Sequence, residues 1–468
     1  MKRILLISAP LEESFKLKNI SDDENSYSLG LGYLHSVIEK SGYAIKTKNY
    51  NTSDEVASLN DIREEISGFN PDYLLMQLFS MNRVTSYKVF KIAKELKNDI
   101  KVIIGGVHAT IMYEQLLNNF DIDYAVLGEG EKTIVELLRA LDKAEETSKI
   151  RGISYRRNGQ VVKTEERELV ENLDELPFPK HELFITSKRK MACILTSRGC
   201  PFKCSFCCLH TISKRIYRKR SVDNIIKEIE YILSAFKNIN SIQIADDTFT
   251  LDVERAMEFC KEIVKRNIKV KLSCSARIKP SSKEMFKLME EAGFVSIGFG
   301  LETGSEKLLA SIHKNITRED VKETFRNLTK VKKISITLYM MLGFPGESDK
   351  TVEESVNFLK ELYKIRKFGV YGVAILWVYP NTEVFDLMKE KRLIGDDYWL
   401  SDKEVPYFTV EHSYQDLLRL KAKMTSGFFA IRGRAFFVYK GFVYLLKSPV
   451  QTVKKVFSLT NFRSSRWN

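Results

Sequence analysis

The sequence predicts an α/β protein in which two parallel β-sheets follow one another and a helical region ends the chain. Two observations carry this prediction. Short apolar runs alternate with amphipathic helical patterns through residues 1–150, and the same alternation resumes at Met191. Glycines and polar residues follow many of the apolar runs, as expected where parallel strands end. Apolar residues make up 44% of the 468 residues, which is enough to form the cores of several domains.

Residues 1–150 contain five predicted strand–helix units, the pattern of an open parallel sheet with helices on both faces. The predicted strands are 3–8, 44–50, 73–80, 101–105 and 124–127, and the predicted helices are 29–40, 62–68, 84–97, 113–119 and 132–143. Ligands of such sheets bind at the carboxyl ends of the strands. The first candidate site is therefore predicted at residues 8–10, 80–82, 105–110 and 128–131.

A connector is predicted at residues 151–190. Two short apolar runs flank Asn158-Gly159, which is a favoured two-residue hairpin turn. The prolines of the stretch 173–179 favour a stiff, extended backbone after the hairpin.

The second half of the chain contains six further predicted strands with helices between them. The strands are 192–196, 241–245, 269–273, 296–300, 334–342 and 372–378, and clear helices include 222–236 and 253–266. Periodicity does not distinguish a partial from a full α/β barrel, but in both the chemistry lies at the carboxyl ends of the strands. The predicted domains are 1–150, the connector 151–190, the barrel 191–395 and a C-terminal region 396–468.

The positive charge of the chain is concentrated at its end. The net charge is +13, and the segment from Lys421 to Asn468 has ten Lys or Arg residues and no Asp or Glu. The first 420 residues therefore carry only +3, which argues against a nucleic-acid-binding groove. No run approaches the roughly 18 apolar residues of a membrane span, and the N-terminus turns polar by Glu12. We therefore expect a cytoplasmic protein.

Three of the seven cysteines, Cys200, Cys204 and Cys207, have the spacing C-x3-C-x2-C directly after a predicted strand. Thiolates are soft ligands that suit iron–sulfur clusters and zinc, and clustered thiols indicate a reducing compartment. Three ligands leave one metal position open, as a catalytic metal requires. The alternative is a zinc knuckle completed by His210.

The segment from Thr196 to Cys207, with the sequence Thr-Ser-Arg-Gly-Cys-Pro-Phe-Lys-Cys-Ser-Phe-Cys, resembles the cluster loop of radical S-adenosylmethionine (SAM) enzymes. Within that superfamily the chain resembles the branch with an N-terminal cobalamin-binding domain, over residues 1–395 in order. The resemblance implies a Rossmann-like (flavodoxin-like) cobalamin-binding domain, then a partial (β/α)6 barrel and a C-terminal helical extension. It also implies that the three cysteines bind three irons of a [4Fe–4S] cluster and that SAM chelates the fourth.

The resemblance assigns further residues of the barrel to SAM. Carboxylates would contact the SAM ammonium, Arg277 would hold its carboxylate, and Glu302 would bind the ribose. The SAM residues implied are Asp246, Asp247, Ser275, Arg277, Glu302, Gly343 and Pro345. For Asp246 alone, a turn that caps the next helix is an equal alternative. Asn replaces the family's usual Gly at Asn315 and Asn381, a change that the left-handed backbone tolerates.

For the first domain the resemblance implies cobalamin. The cobalamin residues implied are Gly30, Gly32, Ser80, Gly105, Gly106, His108, Gly128, Glu129, Gly130 and Glu131. The Asp-x-His-x-x-Gly motif that supplies a cobalt-binding histidine elsewhere is absent, so cobalamin without a protein histidine on cobalt is expected. The alternative is a domain that has kept the fold and lost the cofactor.

The C-terminal tail interleaves its ten cations with aromatic residues. Phe428-Phe429, Phe436-Phe437, Tyr439, Phe442, Tyr444 and Phe457 belong to this pattern. Two helices are predicted, because Ser448-Pro449 has the form of an N-cap followed by a first-turn proline. A basic, aromatic, amphipathic tail suits an anionic membrane surface, and a helical lid packed on the barrel is the alternative.

The resemblance implies an enzyme that transfers a methyl group to an unactivated carbon or to phosphorus. One SAM would methylate cobalamin, and another would give the 5′-deoxyadenosyl radical that activates the substrate. The implied partners are a small-molecule or lipid substrate and an external electron donor of the flavodoxin or ferredoxin type, with no nucleic acid. Alternatives are a radical SAM cyclase or rearrangement enzyme without methyl transfer, and an iron–sulfur protein that binds nucleic acid.

Overall fold

A computed structural model describes residues 2–11, 27–50, 58–403, 406 and 408–432, without the side chain of Tyr371. All structural statements below refer to these residues. The chain forms two sheets and a short two-stranded ribbon.

The first sheet has the strand order of flavodoxin-like folds. Its strands are β1 (Arg3–Ser8), β2 (Ala44–Asn49), β3 (Tyr73–Gln77), β4 (Lys101–Gly105), β5 (Tyr124–Val126), β6 (Ile153–Arg157) and β7 (Gln160–Lys163). They lie in the order β2-β1-β3-β4-β5-β6-β7, and the first five are parallel. The helices are α1 (Leu29–Lys40), α2 (Leu59–Phe69), α3 (Arg83–Leu96), α4 (Val107–Asn119) and α5 (Glu131–Asp142). The Rossmann-like fold predicted from the sequence is confirmed.

The predicted connector hairpin belongs to this sheet. Strand β6 pairs antiparallel with β5 through Val126 and Ile153, and Asn158-Gly159 makes the turn to β7. Both turn residues have positive φ, 52° and 79°, as this turn requires. The rest of the connector is also less extended than predicted, because 3₁₀ turns form at Leu173–Glu175 and His181–Leu183.

The second sheet is an open barrel of parallel strands. The strands from here on are β8 (Met191–Ile194), the ribbon β9 (Ser197–Arg198) and β10 (Arg218–Lys219), then β11 (Ser241–Ile244), β12 (Lys271–Ala276), β13 (Phe294–Glu302), β14 (Ser335–Leu342) and β15 (Gly369–Ile375). The order β8-β11-β12-β13-β14-β15 leaves the two outer strands unpaired with each other among the described residues. The predicted partial (β/α)6 barrel is therefore confirmed.

The helices of the second half cover the outside of this barrel. They are α6 (His210–Ser213), α7 (Val222–Ala235), α8 (Val253–Lys265), α9 (Lys283–Glu291), α10 (Glu306–Ser311), α11 (Arg318–Leu328), α12 (Asp349–Ile365), α13 (Glu383–Glu390) and α14 (Tyr414–Arg432). Several begin at Ser or Thr side chains that accept a backbone N–H, for example Ser221 and Ser348.

The first domain and the barrel share apolar packing. One cluster joins Leu5 and Ile7 of β1 to Leu376, Val378 and Trp399 of the second half. Trp399 is fully buried, and its carbonyl accepts a hydrogen bond of 2.8 Å from the Tyr87 hydroxyl of α3. The start of the C-terminal region therefore crosses back onto the first domain.

Helix α14 divides the predicted tail into two parts. Leu417, Leu420, Met424 and Phe428 are buried on the barrel, and the Phe428 ring lies 5.7 Å from that of Phe368. For residues 421–432 the structure supports the alternative of a packed helix, because their apolar face completes the barrel core. The remaining tail, 433–468, with Phe436-Phe437 and the predicted Ser448-Pro449 helix start, lies outside the described residues. No described helix is long and apolar enough to span a bilayer.

A candidate cofactor site between the two domains

The carboxyl ends of both sheets meet at one cavity of about 350 Å³. The first domain contributes apolar residues of its strands, the glycine turns after β4 and β5, and the start of α1. The barrel contributes the ribbon, the segment around α6 and the turn after β11. The lining residues used below are Gly30, Tyr33, Gln77, Gly105, Gly106, Gly128, Glu129, Gly130, Glu131, Ser197, Arg198, Gly199, Arg218 and Asp247. The cavity is therefore a joint product of the two domains.

The cysteine loop begins at Gly199, directly after the ribbon. Gly199 has φ of 87°, and a Cβ atom there would lie 2.2 Å from the Ile216 carbonyl oxygen, so only glycine fits. The loop is held from both sides: Ser205 N–H donates to the Ile312 carbonyl, and the Ser205 carbonyl accepts from Val384 N–H at 3.4 Å. The three cysteines are thus presented on a supported loop.

The thiols are partly enclosed by protein. Burial raises the pKa of Cys200, and it raises the pKa of Cys207 to about 12, so both thiols are protonated at neutral pH without metal. Arg277 Nη1 lies 3.6 Å from Cys204 Sγ, and its guanidinium stacks 3.6 Å over the Phe202 ring. Metal binding must therefore displace protons from this loop, with a cation already beside one ligand.

The arrangement favours a cluster over a single zinc ion. Among the described residues, no three His, Cys, Asp or Glu side chains are grouped closely enough to hold one metal ion. A zinc knuckle needs that convergence, whereas in a four-iron cluster each cysteine binds a different iron. The imidazole of His210, the alternative fourth zinc ligand, has its Nδ1 3.1 Å from the Cys207 carbonyl oxygen. The cysteine loop fits a [4Fe–4S] cluster.

Ion pairs across the domain interface surround the other side of the cavity. Glu129 accepts from Arg218 at 2.8 and 2.9 Å, and from Arg198 at 3.1 Å. Glu131 accepts from Arg198 Nη2 at 2.7 Å. Burial alone would raise the pKa of Glu129, but the Arg218 and Arg198 guanidiniums outweigh it and hold that pKa below its ordinary value. Glu129 is therefore charged at neutral pH, and its arginine partners compensate this largely buried charge.

Comparison with known proteins decides the family. Residues 194–359 match the model of the radical SAM superfamily, and residues 20–138 match the B12 binding domain. The "Uncharacterized methyltransferase PH0819" of Pyrococcus horikoshii is 30% identical over 403 residues, which are 85% of each chain. The chain belongs to the radical SAM superfamily. It is a radical SAM enzyme with a B12-binding domain, and its cofactors are a [4Fe–4S] cluster, SAM and cobalamin.

Two further comparisons describe the range of the similarity. The anaerobic magnesium-protoporphyrin IX monomethyl ester cyclase of Rubrivivax gelatinosus is 28% identical over 381 residues, 78% of this chain and 67% of that protein. The solved structure of the radical SAM methyltransferase TsrM from Kitasatospora setae, with tryptophan and a SAM analogue, has a TM-score of 0.69. It is 18% identical and covers 84% of this chain and 76% of its own. That likeness is one of fold.

The SAM residues predicted after β11 separate into two roles. Asp246 is buried, and its two oxygens accept from the backbone and hydroxyls of Thr196 and Ser197 at 2.5–3.1 Å. Arg255 Nη2 lies 3.6 Å away as well. Asp246 therefore positions the segment before the cysteine loop, and its contact with SAM stays a prediction.

Asp247 remains the candidate for the SAM ammonium. It lines the cavity, and its Oδ2 accepts only from Gly199 N–H, at 3.1 Å, among the described groups. Partial removal from water, with a smaller contribution from Asp246, raises the pKa of Asp247 to about 6. A carboxylate in that environment gains by binding a cation, as an ammonium group would provide.

The predicted SAM residues of β12 and β13 form a buried relay beneath the loop. Arg277 contacts Cys204 and donates through Nη2 to the Lys314 carbonyl, and the Lys314 ammonium donates to Glu302 Oε1 at 2.8 Å. Arg277 thus supports the cysteine loop, and its contact with the SAM carboxylate stays a prediction, since its buried Nε has no hydrogen-bond partner among the described residues. Glu302 has a protein partner in Lys314, and only its Oε1 is hydrogen bonded among the described residues. Ser275 lies on β12, opposite Gly298.

The loop with Gly343 and Pro345 backs onto the C-terminal region, which sequence reasoning did not foresee. The Gly346 N–H donates to Glu411 at 2.7 Å, and His412 Nε2 lies 3.0 Å from the Glu347 carbonyl oxygen. The residues around 409–417 therefore hold the loop that follows β14. The expected left-handed backbone at Asn315 and Asn381 is confirmed, with φ of 55° and 60°.

Most of the predicted cobalamin glycines line the cavity. Gly30, Gly105, Gly106, Gly128 and Gly130 do so, and a Cβ atom on Gly30 would lie 2.8 Å from Gln77 Nε2. Gly32 does not, because its carbonyl accepts Lys180 N–H at 3.1 Å on the connector side of α1. The remaining glycine turns and the apolar ends of β1, β3 and β4 fit a large, flat group with an apolar tail.

Ser80 and His108 lie outside the cavity lining, and their assignment to cobalamin stays a prediction. His108 is completely buried, with Nδ1 3.0 Å from Ser80 Oγ and Nε2 3.1 Å from the Tyr87 hydroxyl. Burial, helped by Arg83, lowers the pKa of His108 to about 3, so it is neutral. Both ring nitrogens of His108 therefore have protein partners, and cobalamin without a protein histidine on cobalt stays a prediction.

Glu129 and Glu131 line the cavity but are neutralised by the arginines of the barrel. Sequence reasoning placed both at the cobalamin site and missed Arg198 and Arg218, although Arg198 stands inside the quoted cysteine motif. Tyr33 and Gln77 were also missed. Gln77 could have been found, because it ends β3 at the edge where ligands of parallel sheets bind.

We predict that replacing Cys200, Cys204 and Cys207 together by Ala removes the cluster from the anaerobically reconstituted protein. Iron and sulfide analysis should fall to background, and the broad visible absorbance of the cluster should disappear. The matched control is Cys208→Ala, which changes a thiol of the same segment and should leave the iron content unchanged. A triple variant that retains its cluster, or a Cys208 variant that loses it, would contradict the assignment.

Proposed function

We propose that this radical SAM enzyme transfers a methyl group from SAM to a carbon or phosphorus centre of a small-molecule or lipid substrate. The observation that carries the proposal is the cavity lined by both domains, with the strand ends of the B12-binding domain on one side and the ribbon, Gly199 at the start of the cysteine loop and Asp247 on the other. Groups that are held in one cavity do not have to meet by diffusion. The entropy cost of bringing them together, which is a large part of the activation barrier, is therefore avoided. The similarity to a protein named a methyltransferase supports the same reaction.

When bound, the cluster and SAM supply a 5′-deoxyadenosyl radical, and cobalamin supplies a carrier for the methyl group. The residues of this chain bind and orient these groups. Asp247 offers a carboxylate to the SAM ammonium, and Arg277 and Asp246 hold the cysteine loop. The apolar strand ends of the first domain exclude water from the cavity, which protects a reactive radical from side reactions.

A second candidate is a radical cyclisation without methyl transfer. The similarity to a cyclase, at 28% identity over 78% of this chain, is the observation that favours it. Both candidates use the same cluster loop and cobalamin cavity, so the residues of the site do not separate them. The products formed from SAM do.

The two candidates predict different products from SAM. Under anaerobic conditions, with titanium(III) citrate, cobalamin and SAM carrying a deuterated methyl group, we expect both 5′-deoxyadenosine and S-adenosylhomocysteine. The second product requires that a methyl group has left SAM. Both should be measured by mass spectrometry, and the Cys200/Cys204/Cys207 triple variant should lose the 5′-deoxyadenosine. Formation of 5′-deoxyadenosine with no S-adenosylhomocysteine would overturn the methyl-transfer proposal and support the cyclisation.

The proposed setting is the reducing cytoplasm, with an external one-electron donor of the flavodoxin or ferredoxin type. None of the seven cysteines pairs in a disulfide, and three of them are clustered as ligands, which favours a reducing compartment. A [4Fe–4S] cluster that cleaves SAM needs one electron for each cleavage, and this chain has no second cysteine cluster to supply it.

We further propose that the end of the tail docks on an anionic membrane surface. Seven of the ten tail cations lie in residues 433–468, interleaved with aromatic residues, and no acid follows Asp416. Each cation near an anionic surface contributes about 1 kcal/mol, so several would give measurable attachment. By contrast, Lys423 pairs with Asp349 and Glu353 on the barrel, at 2.9 and 2.7 Å. The proposal therefore concerns residues 433–468.

Vesicle co-sedimentation tests this proposal. Full-length protein should sediment with phosphatidylglycerol vesicles at low salt, and a version that ends at Arg432 should remain in solution. The cut is placed there because an end at Leu420 would remove Met424 and Phe428 from the barrel core. Phosphatidylcholine vesicles are the neutral control. Equal binding of both versions to the anionic vesicles, or binding by neither, would contradict the proposal.

A further inference from the structure

Arg198 occupies a position that links the two cofactor regions of the molecule. Its guanidinium contacts Glu129 and Glu131 of the first domain, at 3.1 and 2.7 Å, and lies 4.9 Å from the ring centre of Tyr33. All three of these partners line the cavity of the B12-binding domain. Two residues further along the chain is Cys200, the first cysteine of the cluster loop.

The backbone between Arg198 and the cluster loop is tightly held. Gly199, the residue between Arg198 and Cys200, has φ of 87° and lies so close to the Ile216 carbonyl that a Cβ atom would be 2.2 Å from its oxygen. Its N–H is held by Asp247 Oδ2 at 3.1 Å. A shift of Arg198 would therefore move Gly199 away from Asp247 and displace Cys200.

Arg218 provides a natural comparison for Arg198. The two residues are directly opposed on the ribbon β9–β10, and both donate to Glu129. Arg218 also donates to the Val170 carbonyl at 2.7 Å, and its strand leads into α7 rather than into the cysteine loop. Both arginines hold the domains together, but only Arg198 is continuous with the cluster loop.

We propose that Arg198 is a positioning residue that couples the walls of the cobalamin cavity to the geometry of the cluster loop. Its contacts with Glu129, Glu131 and Tyr33 set the edge of the cobalamin cavity. Because Arg198 is followed by Gly199 and Cys200, its position also constrains the position of Cys200 and the hydrogen bond between Gly199 and Asp247. One side chain thereby links the wall of the cavity to the backbone that carries the first cysteine of the cluster loop.

The pairing geometry explains why arginine is needed. Its planar fork donates through Nη1 to one carboxylate and through Nη2 to the other, which a lysine ammonium on a single flexible stem does not reproduce. Removal of Arg198 also leaves Glu131 buried with no other cationic partner among the described side chains, and an uncompensated buried charge is costly.

The test compares Arg198→Met with Arg218→Met in protein reconstituted with cluster and cobalamin. Two readouts are taken: the cobalamin dissociation constant, and the electron paramagnetic resonance (EPR) spectrum and reduction potential of the [4Fe–4S] cluster. Both variants should weaken cobalamin binding about tenfold or more, because each removes ion pairs with Glu129. Only Arg198→Met should change the cluster spectrum and potential. Identical effects of the two variants on the cluster, or no effect of Arg198→Met on it, would overturn the inference.

Further variants separate positioning from charge and from misfolding. Arg198→Lys keeps the charge and should restore less than half of the lost cobalamin affinity, while its cluster spectrum stays altered. The Arg198→Met/Glu131→Gln double variant removes the uncompensated carboxylate and should recover affinity without restoring the spectrum. If Arg198→Met does not fold, Glu131→Gln alone decides: it should alter the cluster spectrum, and an unchanged spectrum would overturn the inference.

The inference uses the cofactors of the proposed function but not its reaction. Cobalamin affinity and the cluster spectrum are measured without methyl transfer, so a failed methyl-transfer assay leaves this test intact. Conversely, equal effects of the two arginine variants would leave the proposed reaction untouched.

Discussion

The structure depends on the burial of two opposed arginines at the domain interface. Arg198 and Arg218 face each other on a two-residue ribbon, where like charges repel unless anions lie between them. The anions come from the other domain, as Glu129 and Glu131 on the turn between β5 and α5. Since burying either charge alone would cost several kcal/mol, these pairs favour the relative position of the two domains that brings them together.

That position has a consequence for chemistry. The carboxyl ends of a Rossmann-like sheet and of a partial barrel are each ordinary ligand sites, but here they form the walls of one cavity. The Gly-Glu-Gly-Glu turn serves both purposes, because its glycines line the cavity while its glutamates fix the interface. Trp399 is buried against the first domain and belongs to the same interface.

The features that were predicted correctly from the sequence are those that hydrophobic periodicity and residue spacing determine. The strand order follows from five short strand–helix units, and the cysteine loop is recognised from spacing that local chain geometry imposes. Strand-end polar residues were less predictable, since the sequence does not show whether such a side chain faces a ligand or a neighbouring loop. Asp246 and His108 both face protein, through partners 50 and 28 residues away. The distance along the chain hides these pairings.

The same limit explains the errors at the connector and at the tail. The hairpin around Asn158-Gly159 was predicted correctly as a local turn, but its pairing with β5 depends on a contact between distant strands. The basic tail was read as one unit because its composition is uniform. In the structure, Leu420, Met424 and Phe428 of helix α14 share a face that packs on the barrel. The sequence alone does not show this packing, because it depends on the shape of the barrel surface.

The central claim is that one cavity between the domains holds both cofactors. Pulsed EPR on protein containing both paramagnetic cob(II)alamin and the reduced [4Fe–4S] cluster tests it most directly. The structure predicts a clear dipolar coupling between the two spins, together with a cobalt signal that lacks splitting from an axial histidine nitrogen. Two magnetically isolated signals in fully loaded protein would place the cofactors in separate sites and contradict this account.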